Sequence, residues 1–220
     1  MEPEPSMKSL RLNNNILSAG WMLAITALLG TALMVVVNWH SQPYIKVNER
    51  QVLLKTLNTL IPASTYDNDI VNDTVLLQDM DLLGSENDSL IYRARKNNNP
   101  VAAVMTIIAP DGYTGPIALL VGVNYAGTIQ GVRVVKHRET PGLGDAIDIE
   151  RGDWILSFNG KSLSNPQATG WKVKRDGGEF DQLTGATITP RAIVQSVHKA
   201  LRFYRQHRSE IFYIEPTTTE

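Results

Sequence analysis

Residues 90–137 read LIYRARKNNNPVAAVMTIIAPDGYTGPIALLVGVNYAGTIQGVRVVKH, and their pattern decides the fold. Turn-forming Asn, Gly and Pro residues divide this stretch into four runs of strand-forming residues. Because the connections are too short for crossover helices, we predict a mainly antiparallel sheet. Ile117–Val121 is apolar throughout, which predicts a strand covered on both faces. The four predicted strands are Leu90–Lys96, Val101–Ala109, Ile117–Asn124 and Thr128–His137.

Two amphipathic segments flank the predicted sheet. Residues 45–61, IKVNERQVLLKTLNTLI, place apolar side chains at helical spacing, and Pro62 ends that helix. A last helix is predicted from Pro190 to about Phe212, with Thr189 as its N-cap and the proline at the first helical position. The predicted sheet and helices together indicate one α+β domain, which follows an N-terminal anchor in the sequence.

The N-terminal part of the chain predicts a membrane helix. Residues 16–37, ILSAGWMLAITALLGTALMVVV, carry no charge, and a helix of this length spans about 33 Å, enough for a bilayer core. A cleaved signal peptide is the alternative, with Lys8 and Arg11 as its basic region, but the apolar run exceeds the usual signal length. Basic residues lie on both sides, so charge does not orient the helix.

The composition excludes several classes of function. The chain has 220 residues, 21 Lys and Arg against 22 Asp and Glu, and no cysteine. The charge balance argues against a nucleic-acid binder. Without cysteine there is no disulfide, thiolate metal site or protein-ligated iron–sulfur cluster. Any redox chemistry must therefore use a group other than sulfur or a thiolate-bound metal.

Charge is distributed unevenly along the chain. Each of the two charged stretches is either a solvated face or a docking surface for a partner of opposite charge, and the basic one also suits anionic headgroups. The acidic stretch contains Asp67, Asp69, Asp73, Asp79, Asp81, Glu86 and Asp88, without Lys or Arg between them. The basic stretch contains Arg191, Lys199, Arg202, Arg205 and Arg208, without an acid between them.

The sequence predicts no catalytic residue and no metal ligand on this chain. Its four histidines lack metal-ligand spacing, and it has neither a nucleophile elbow nor a Walker loop. Gly142-Leu-Gly144 lacks the third glycine of the dinucleotide fingerprint. A hydrolase that uses Glu139, Asp145 or Asp181 as acid or base remains an alternative of low rank.

Two segments are candidates for a binding site; the alternatives are an ordinary surface turn for the first, which that segment alone favours, and a capped turn for the second. In His137–Asp145, HRETPGLGD, a proline fixes one dihedral angle and two glycines let backbone approach a flat or anionic ligand. Asp181–Pro190, DQLTGATITP, leads into the last helix, where free N–H groups and the helix dipole stabilise an anion. A phosphate at Thr187 would lie in that field, and Arg191 in the first turn suggests an anion nearby.

These segments resemble the G subunits of Rnf electron-transport complexes. The resemblance rests on residues 170–190 (GWKVKRDGGEFDQLTGATITP), 112–123 (GYTGPIALLVGV) and 137–145, and with the N-terminal helix it covers nearly the whole chain. In that family the last Thr of a Ser/Thr-Gly-Ala-Thr motif carries FMN through a phosphoester bond, attached by a flavin transferase. The resemblance therefore implies covalent FMN on Thr187. This motif opens with Thr184 where many relatives have Ser.

The same resemblance implies the remaining site residues, the partners and the location. The cofactor-binding residues would be Thr187 with Thr184, Gly185 and Ala186, and the loop Glu139, Thr140, Pro141, Gly142, Leu143 and Gly144 beside the flavin. The partners would be the other Rnf subunits, the flavin transferase and the bilayer of the bacterial inner membrane. The implied segments are a cytoplasmic tail (1–15), a transmembrane helix (16–39), a periplasmic FMN-binding domain (40–215) and a C-terminal tail (216–220).

The implied function is an electron relay in a complex that couples electron transfer between NADH and ferredoxin to ion translocation. The homologous C subunits of sodium-translocating NADH:quinone oxidoreductases are the nearest alternative, because they share the motif. A membrane-anchored assembly domain without cofactor is another alternative, with its acidic and basic faces docking partners.

Overall fold

The structure, a computed structural model, describes residues 14–213, apart from the side chains of residues 14–17 and 43–46. The tail predicted for 216–220, and all but the end of the one predicted for 1–15, lie outside the described residues. The helices are α1 (Asn14–Leu60), α2 (Met80–Leu83) and α3 (Ile188–Ile211). The strands are β1 (Thr74–Leu77), β2 (Ser89–Lys96), β3 (Asn99–Ala109), β4 (Ile117–Asn124) and β5 (Ile129–Lys136).

The five strands form one antiparallel sheet in the order β1-β2-β3-β4-β5. The predicted antiparallel sheet is thus confirmed, and the four predicted strands begin and end within two residues of β2 to β5. The connections are short from β2 to β5, and α2 lies between β1 and β2. Between β4 and β5, for example, the Gly127 N–H donates to the Asn124 carbonyl (2.9 Å) at a positive φ of 94°. The edge strand β1 was not predicted.

Helices cover both faces of the sheet. On one face, β3 and β4 pack Met105, Leu119 and Val121 in the same buried cluster as the apolar side of α3. On the other face, Val104 and Leu120 share a buried cluster with Leu57 and Leu60 at the end of α1. The expectation that β4 is covered on both sides is therefore confirmed. Since alternate residues of a strand face opposite ways, one strand contributes to both clusters.

The residues of α1 up to Gln51 form one compact unit, and those from Val52 onward belong to the second, which contains the sheet. The first part is the one helix, among the described residues, that is long and apolar enough to cross a membrane. Its large apolar side chains, such as Trp21, Leu28 and Trp39, are exposed. The helices predicted separately for 16–39 and 45–61 are one continuous helix, Asn14–Leu60, which runs through Pro43.

Between β5 and α3 the chain forms mainly short turns around an aromatic cluster. Phe158 stacks on Phe180 at 4.8 Å between ring centroids, and Trp171 stacks on His198 of α3 at 5.1 Å. At the rim of this cluster the Trp154 indole N–H donates to the Asp181 carbonyl (2.6 Å). The cluster therefore fixes the segment that leads into α3.

The start of α3 differs from the prediction. The helix begins at Ile188, with Thr187 as the residue before it, rather than at Pro190 after an N-cap at Thr189. Thr189 is buried inside the first turn, and its hydroxyl bonds to Glu139, 50 residues earlier in the chain. A side chain that is used in this way cannot cap its own helix.

Candidate functional site

A cavity of about 300 Å³ lies at the N-terminal end of α3. Three segments form it: the turn before β4, the loop after β5, and the turn that leads into α3. Its lining residues are Tyr113, Glu139, Thr140, Leu143, Gly144, Gly185, Ala186, Thr187, Ile188 and Thr189. The two segments that the sequence singled out therefore meet at one site.

The Glu139 carboxylate joins the three segments. Its side chain is only 4% exposed, and its Oε1 accepts bonds from the Thr114 backbone N–H (3.1 Å) and hydroxyl (3.2 Å). Its Oε2 accepts from the Thr189 hydroxyl at 2.5 Å. The backbone N–H of Glu139 donates to His137 Nδ1 (3.1 Å), so that ring nitrogen carries no proton. A buried carboxylate is tolerated when donors surround it, and here they also fix the cavity wall.

Two glycines make room for that carboxylate. A Cβ on Gly144 would stand 2.8 Å from Glu139 Oε2, and one on Gly112 would stand 3.0 Å from Oε1 and 2.2 Å from the Gly115 carbonyl oxygen. The sequence predicted that Gly144 lets backbone approach a ligand; Gly144 lines the cavity, and the position of its missing side chain is next to Glu139 Oε2. Gly142 has a positive φ of 78° and open space around it, as a tight turn requires.

A second turn presents the Thr187 hydroxyl. The Ala186 N–H donates to the Leu183 carbonyl (3.1 Å), and Gly185 takes a φ of 78°, which favours glycine. Thr187 is half-buried and its side chain makes no capping bond to α3. Its Oγ1 instead accepts a long bond from Arg175 Nη1 (3.4 Å). The hydroxyl therefore faces a cation at a helix N-terminus.

Cations and their partners surround this hydroxyl. Arg191 makes two bonds to the Asp176 carboxylate, at 2.7 and 2.9 Å. The anion expected near Arg191 is thus a side chain of the protein itself. The hydrogen bond from Arg191 lowers the pKa of Asp176, and Arg175 and Lys172 add to that effect. Because this pair lies at the surface, it orders the loop more than it stabilises the fold.

The rim of the cavity is apolar and exposed. Tyr113 is 65% exposed, and Leu143 and Ile188 are each 45% exposed. Large apolar side chains that remain exposed around one concavity mark a place where an apolar ligand binds. Flat apolar walls, a hydroxyl and a guanidinium together suit a ligand with an aromatic ring system at one end and a phosphate at the other.

Most of the predicted site residues meet in this cavity. Thr184, Pro141 and Gly142 do not line it, although they lie in its two loops. Sequence reasoning missed Tyr113, Thr114, Arg175, Ile188 and Thr189; all five lie in the quoted segments 112–123 and 170–190, but none was assigned a part in the binding site.

Of the three residues in the hydrolase alternative, only Glu139 lines this cavity, and its carboxylate already accepts bonds from Thr114 and Thr189. Asp145 and Asp181 do not line it, and they face Arg151 (4.0 Å) and Lys174 (2.5 Å) instead. Within residues 14–213, no group of three His, Cys, Asp or Glu side chains could hold a metal ion.

Comparison with known proteins agrees with this site. Residues 112–202, which contain the cavity, match the family described as the FMN-binding domain. Residues 7–60, which contain the apolar helix, match the family described as the RnfG N-terminal region.

Several proteins named as the G subunit of an ion-translocating oxidoreductase complex are similar over nearly their whole length. The one from Shewanella oneidensis is 45% identical over 201 residues, which is 91% of this chain and 95% of the relative. Those from Pseudoalteromonas atlantica and Vibrio atlanticus are each 44% identical, over 193 and 198 residues; the alignments cover 88% and 90% of this chain, and 90% and 94% of the relatives.

Fold, cavity and matches define the class: a protein with an N-terminal apolar helix and an FMN-binding domain. More narrowly, the chain belongs to the family of G subunits of ion-translocating oxidoreductase complexes. The resemblance stated from the sequence is thereby confirmed, and the N-terminal match favours it over the homologous C subunits of the sodium-translocating enzymes.

Proposed function

We propose that this chain is an electron-relay subunit that holds FMN covalently, through a phosphoester bond from the flavin phosphate to Thr187. The complex would couple electron transfer between NADH and ferredoxin to ion translocation. The observation that carries the proposal is the Thr187 hydroxyl, which makes no capping bond and lies beside Arg175 at the rim of an apolar cavity.

The surroundings of Thr187 suit a phosphodiester. Such a group keeps one negative charge, and the free N–H groups at the start of α3 stabilise an anion there. The Arg175 guanidinium, 3.4 Å from the hydroxyl oxygen, supplies a charge-assisted donor in the same place. Gly185, two residues earlier, leaves room for Leu143 in the cavity wall, because a Cβ there would stand 2.8 Å from Leu143 Cδ2.

The remaining residues of the cavity would hold the ring system. Tyr113, Leu143 and Ile188 offer apolar and aromatic surface that covers a flat ligand and excludes water from it. Glu139 fixes the loop and the helix start, so these walls keep their spacing. When bound, FMN supplies one- and two-electron chemistry, whereas the protein supplies position and electrostatics.

The proposed location follows the resemblance. Residues 1–15 would be a cytoplasmic tail, 16–39 the single transmembrane helix in the bacterial inner membrane, 40–215 the periplasmic domain and 216–220 a short tail. The other subunits of the complex would be partners in the membrane, and a flavin transferase would attach the cofactor. A membrane anchor keeps the flavin close to these subunits and so raises its effective concentration.

The test is flavin attachment in the full chain, expressed together with a flavin transferase. We expect a fluorescent band on a denaturing gel and a mass increment of FMN on the peptide that contains Thr187. Thr187→Val should abolish both, because it removes the oxygen that would form the ester. The matched control is Thr169→Val, which removes a hydroxyl from an exposed residue outside the motif and outside the cavity, and should keep the band.

Two results would contradict the proposal. Fluorescence that survives in Thr187→Val would place the flavin elsewhere. A wild-type chain that stays colourless beside an active flavin transferase would favour the cofactor-free assembly domain.

A further inference from the structure

A second cavity, of about 320 Å³, lies near the other end of α3. Arg205 is 17 residues beyond Ile188, so along the helix it is about 25 Å from the first cavity. The turn between β4 and β5 and the loop 162–164 form the other walls. The polar lining residues are Thr128, Ser162, Ser164, Tyr204, Arg205 and Arg208, and no carboxylate is among the lining residues.

Among the described residues, no ion pair joins the two arginines of this cavity to an acidic side chain. Arg208 contacts Tyr125: its guanidinium lies 4.9 Å from the ring centroid and donates to the carbonyl at 3.3 Å. Arg205 makes no ion pair within residues 14–213. By contrast, Arg93, Arg95 and Arg191 all face carboxylates. Two cations at one cavity without a counter-ion leave a positive field that a bound anion would neutralise.

Hydroxyl groups supply donors from another direction. Ser162 and Ser164 place their Oγ atoms 3.1 Å apart. Backbone bonds hold their loop: Ser162 and Asn165 exchange two bonds (2.7 and 3.1 Å), and the Ile129 N–H donates to the Lys161 carbonyl at 2.8 Å. Because the loop is tied to β5, its hydroxyls and the arginines of α3 line a cavity with fixed walls.

We propose that this cavity, which we term the Arg205 notch (Thr128, Ser162, Ser164, Arg205 and Arg208), binds a tetrahedral phosphate group. The group would come from inorganic phosphate or from the phosphodiester of an anionic lipid headgroup. A carboxylate offers two oxygens in one plane, which a single guanidinium can satisfy. Donors that converge from a helix and a serine loop match an anion whose oxygens point in several directions.

The experiment measures binding to the full chain in a zwitterionic detergent. Sodium phosphate, sodium acetate and a short-chain phosphatidylglycerol are titrated at constant ionic strength, with short-chain phosphatidylcholine as the lipid control, and heat or amide NMR shifts near Ser162 are recorded. We expect phosphate to saturate a single site and acetate to bind much more weakly. Arg205→Ala should weaken phosphate binding about tenfold or more, since it removes charge-assisted bonds.

The matched control is Arg202→Ala, which removes the same charge from the same helix at an exposed position that does not line the notch. It should weaken binding less than Arg205→Ala does, because Arg202 does not line the notch and acts only through its solvent-screened charge. Phosphatidylglycerol that saturates the site more tightly than inorganic phosphate assigns the phosphate group to a lipid headgroup, and equal affinities assign it to either source.

Three results would overturn the proposal: no saturable phosphate binding, equal losses in the two arginine variants, or acetate binding as tight as phosphate. The last would indicate an acidic protein surface as the occupant instead. Thr187→Val should leave phosphate binding unchanged, so this test is independent of the proposed flavin site.

Discussion

A cavity of about 300 Å³ with arginines nearby lies at each end of α3. The two cavities differ in whether carboxylates accompany these arginines. At the N-terminal end Arg191 is paired with Asp176, and a buried carboxylate forms part of the wall. At the C-terminal end Arg205 and Arg208 face hydroxyl groups without a carboxylate. At the first cavity one arginine has a carboxylate partner and Arg175 lies beside the Thr187 hydroxyl, whereas no carboxylate lines the second cavity.

This difference has a consequence for stability. Residues that join several segments inside the protein should matter to folding, and residues with unused charge should matter to binding. Substitutions at the two cavities therefore test whether the first matters mainly to folding and the second mainly to binding.

The largest effect is expected from Glu139→Ala. It leaves the buried Thr189 hydroxyl and the Thr114 N–H without their acceptor, which costs about 2–4 kcal/mol of the free energy of unfolding. Glu139→Gln should cost less, because a hydroxyl can accept from the amide as well as donate. Urea unfolding of the full chain in detergent, followed by circular dichroism, measures both. The comparison fails if Arg205→Ala destabilises the protein as much as Glu139→Ala.

A smaller loss of stability is expected from Gly144→Ala, because the added methyl group would contact the Glu139 carboxylate. The new Cβ would stand 2.8 Å from Glu139 Oε2, and such overpacking costs about 1–3 kcal/mol. In a Glu139→Ala background that oxygen is absent, so the added cost should fall, while the contacts with the Cβ of residue 139 (3.1 Å) and with Thr189 Oγ1 (3.3 Å) remain. A double-mutant cycle on unfolding free energies measures this coupling. Additive costs would show that the glycine is needed for another reason.

The smallest expected effect is a pH dependence of stability that arises from His198 in the C-terminal half of α3. Burial against Trp171 lowers the pKa of His198, and the charges of Arg202 and Arg205 lower it further. The unfolded chain therefore takes up this proton at a higher pH than the folded chain. His198 should favour folding fully above its ordinary pKa of about 6.5, and this contribution is lost as the pH falls through the lowered pKa of the folded state.

Thermal unfolding between pH 8 and pH 5 tests that sign. The melting temperature of the wild type should fall more on acidification than that of His198→Gln. The control is His207→Gln, at a histidine that already faces a carboxylate, Glu210, at 2.8 Å. The pKa of the His198 imidazole, titrated by NMR, should also move upward in Arg205→Ala. An unchanged pKa would mean that the charge of Arg205 does not affect the His198 imidazole.

The sequence predicted those strands whose residue pattern is contained in the strand itself and in the turns beside it. β2 to β5 are apolar runs bounded by Asn, Gly and Pro, and β4 ends where the glycine turn 124–127 begins. β1 was missed because Thr74–Leu77 is a four-residue edge strand inside an acidic stretch. One acid of that stretch, Asp73, is not a solvated charge but the partner of Arg93 and Arg95, a contact made across strands.

The candidate site was partly predictable for the same reason. Glycines and threonines in two short loops pointed to a ligand, and the structure brings both loops to one cavity. The role of Thr189 could not be predicted, because its partner Glu139 is distant in sequence. The Arg205 notch was not predicted either, since a turn, a serine loop and a helix contribute to it and no single segment carries its signal.

The Glu139 contacts also bear on the order in which the protein folds. Each hairpin of the sheet closes locally, whereas this carboxylate joins residues 25 positions upstream and 50 positions downstream. Contacts between distant residues form late, because the chain between them must first lose its freedom. We therefore expect the cavity to form after the hairpins of the sheet. A ligand that binds only to the completed cavity would therefore bind only to the folded domain.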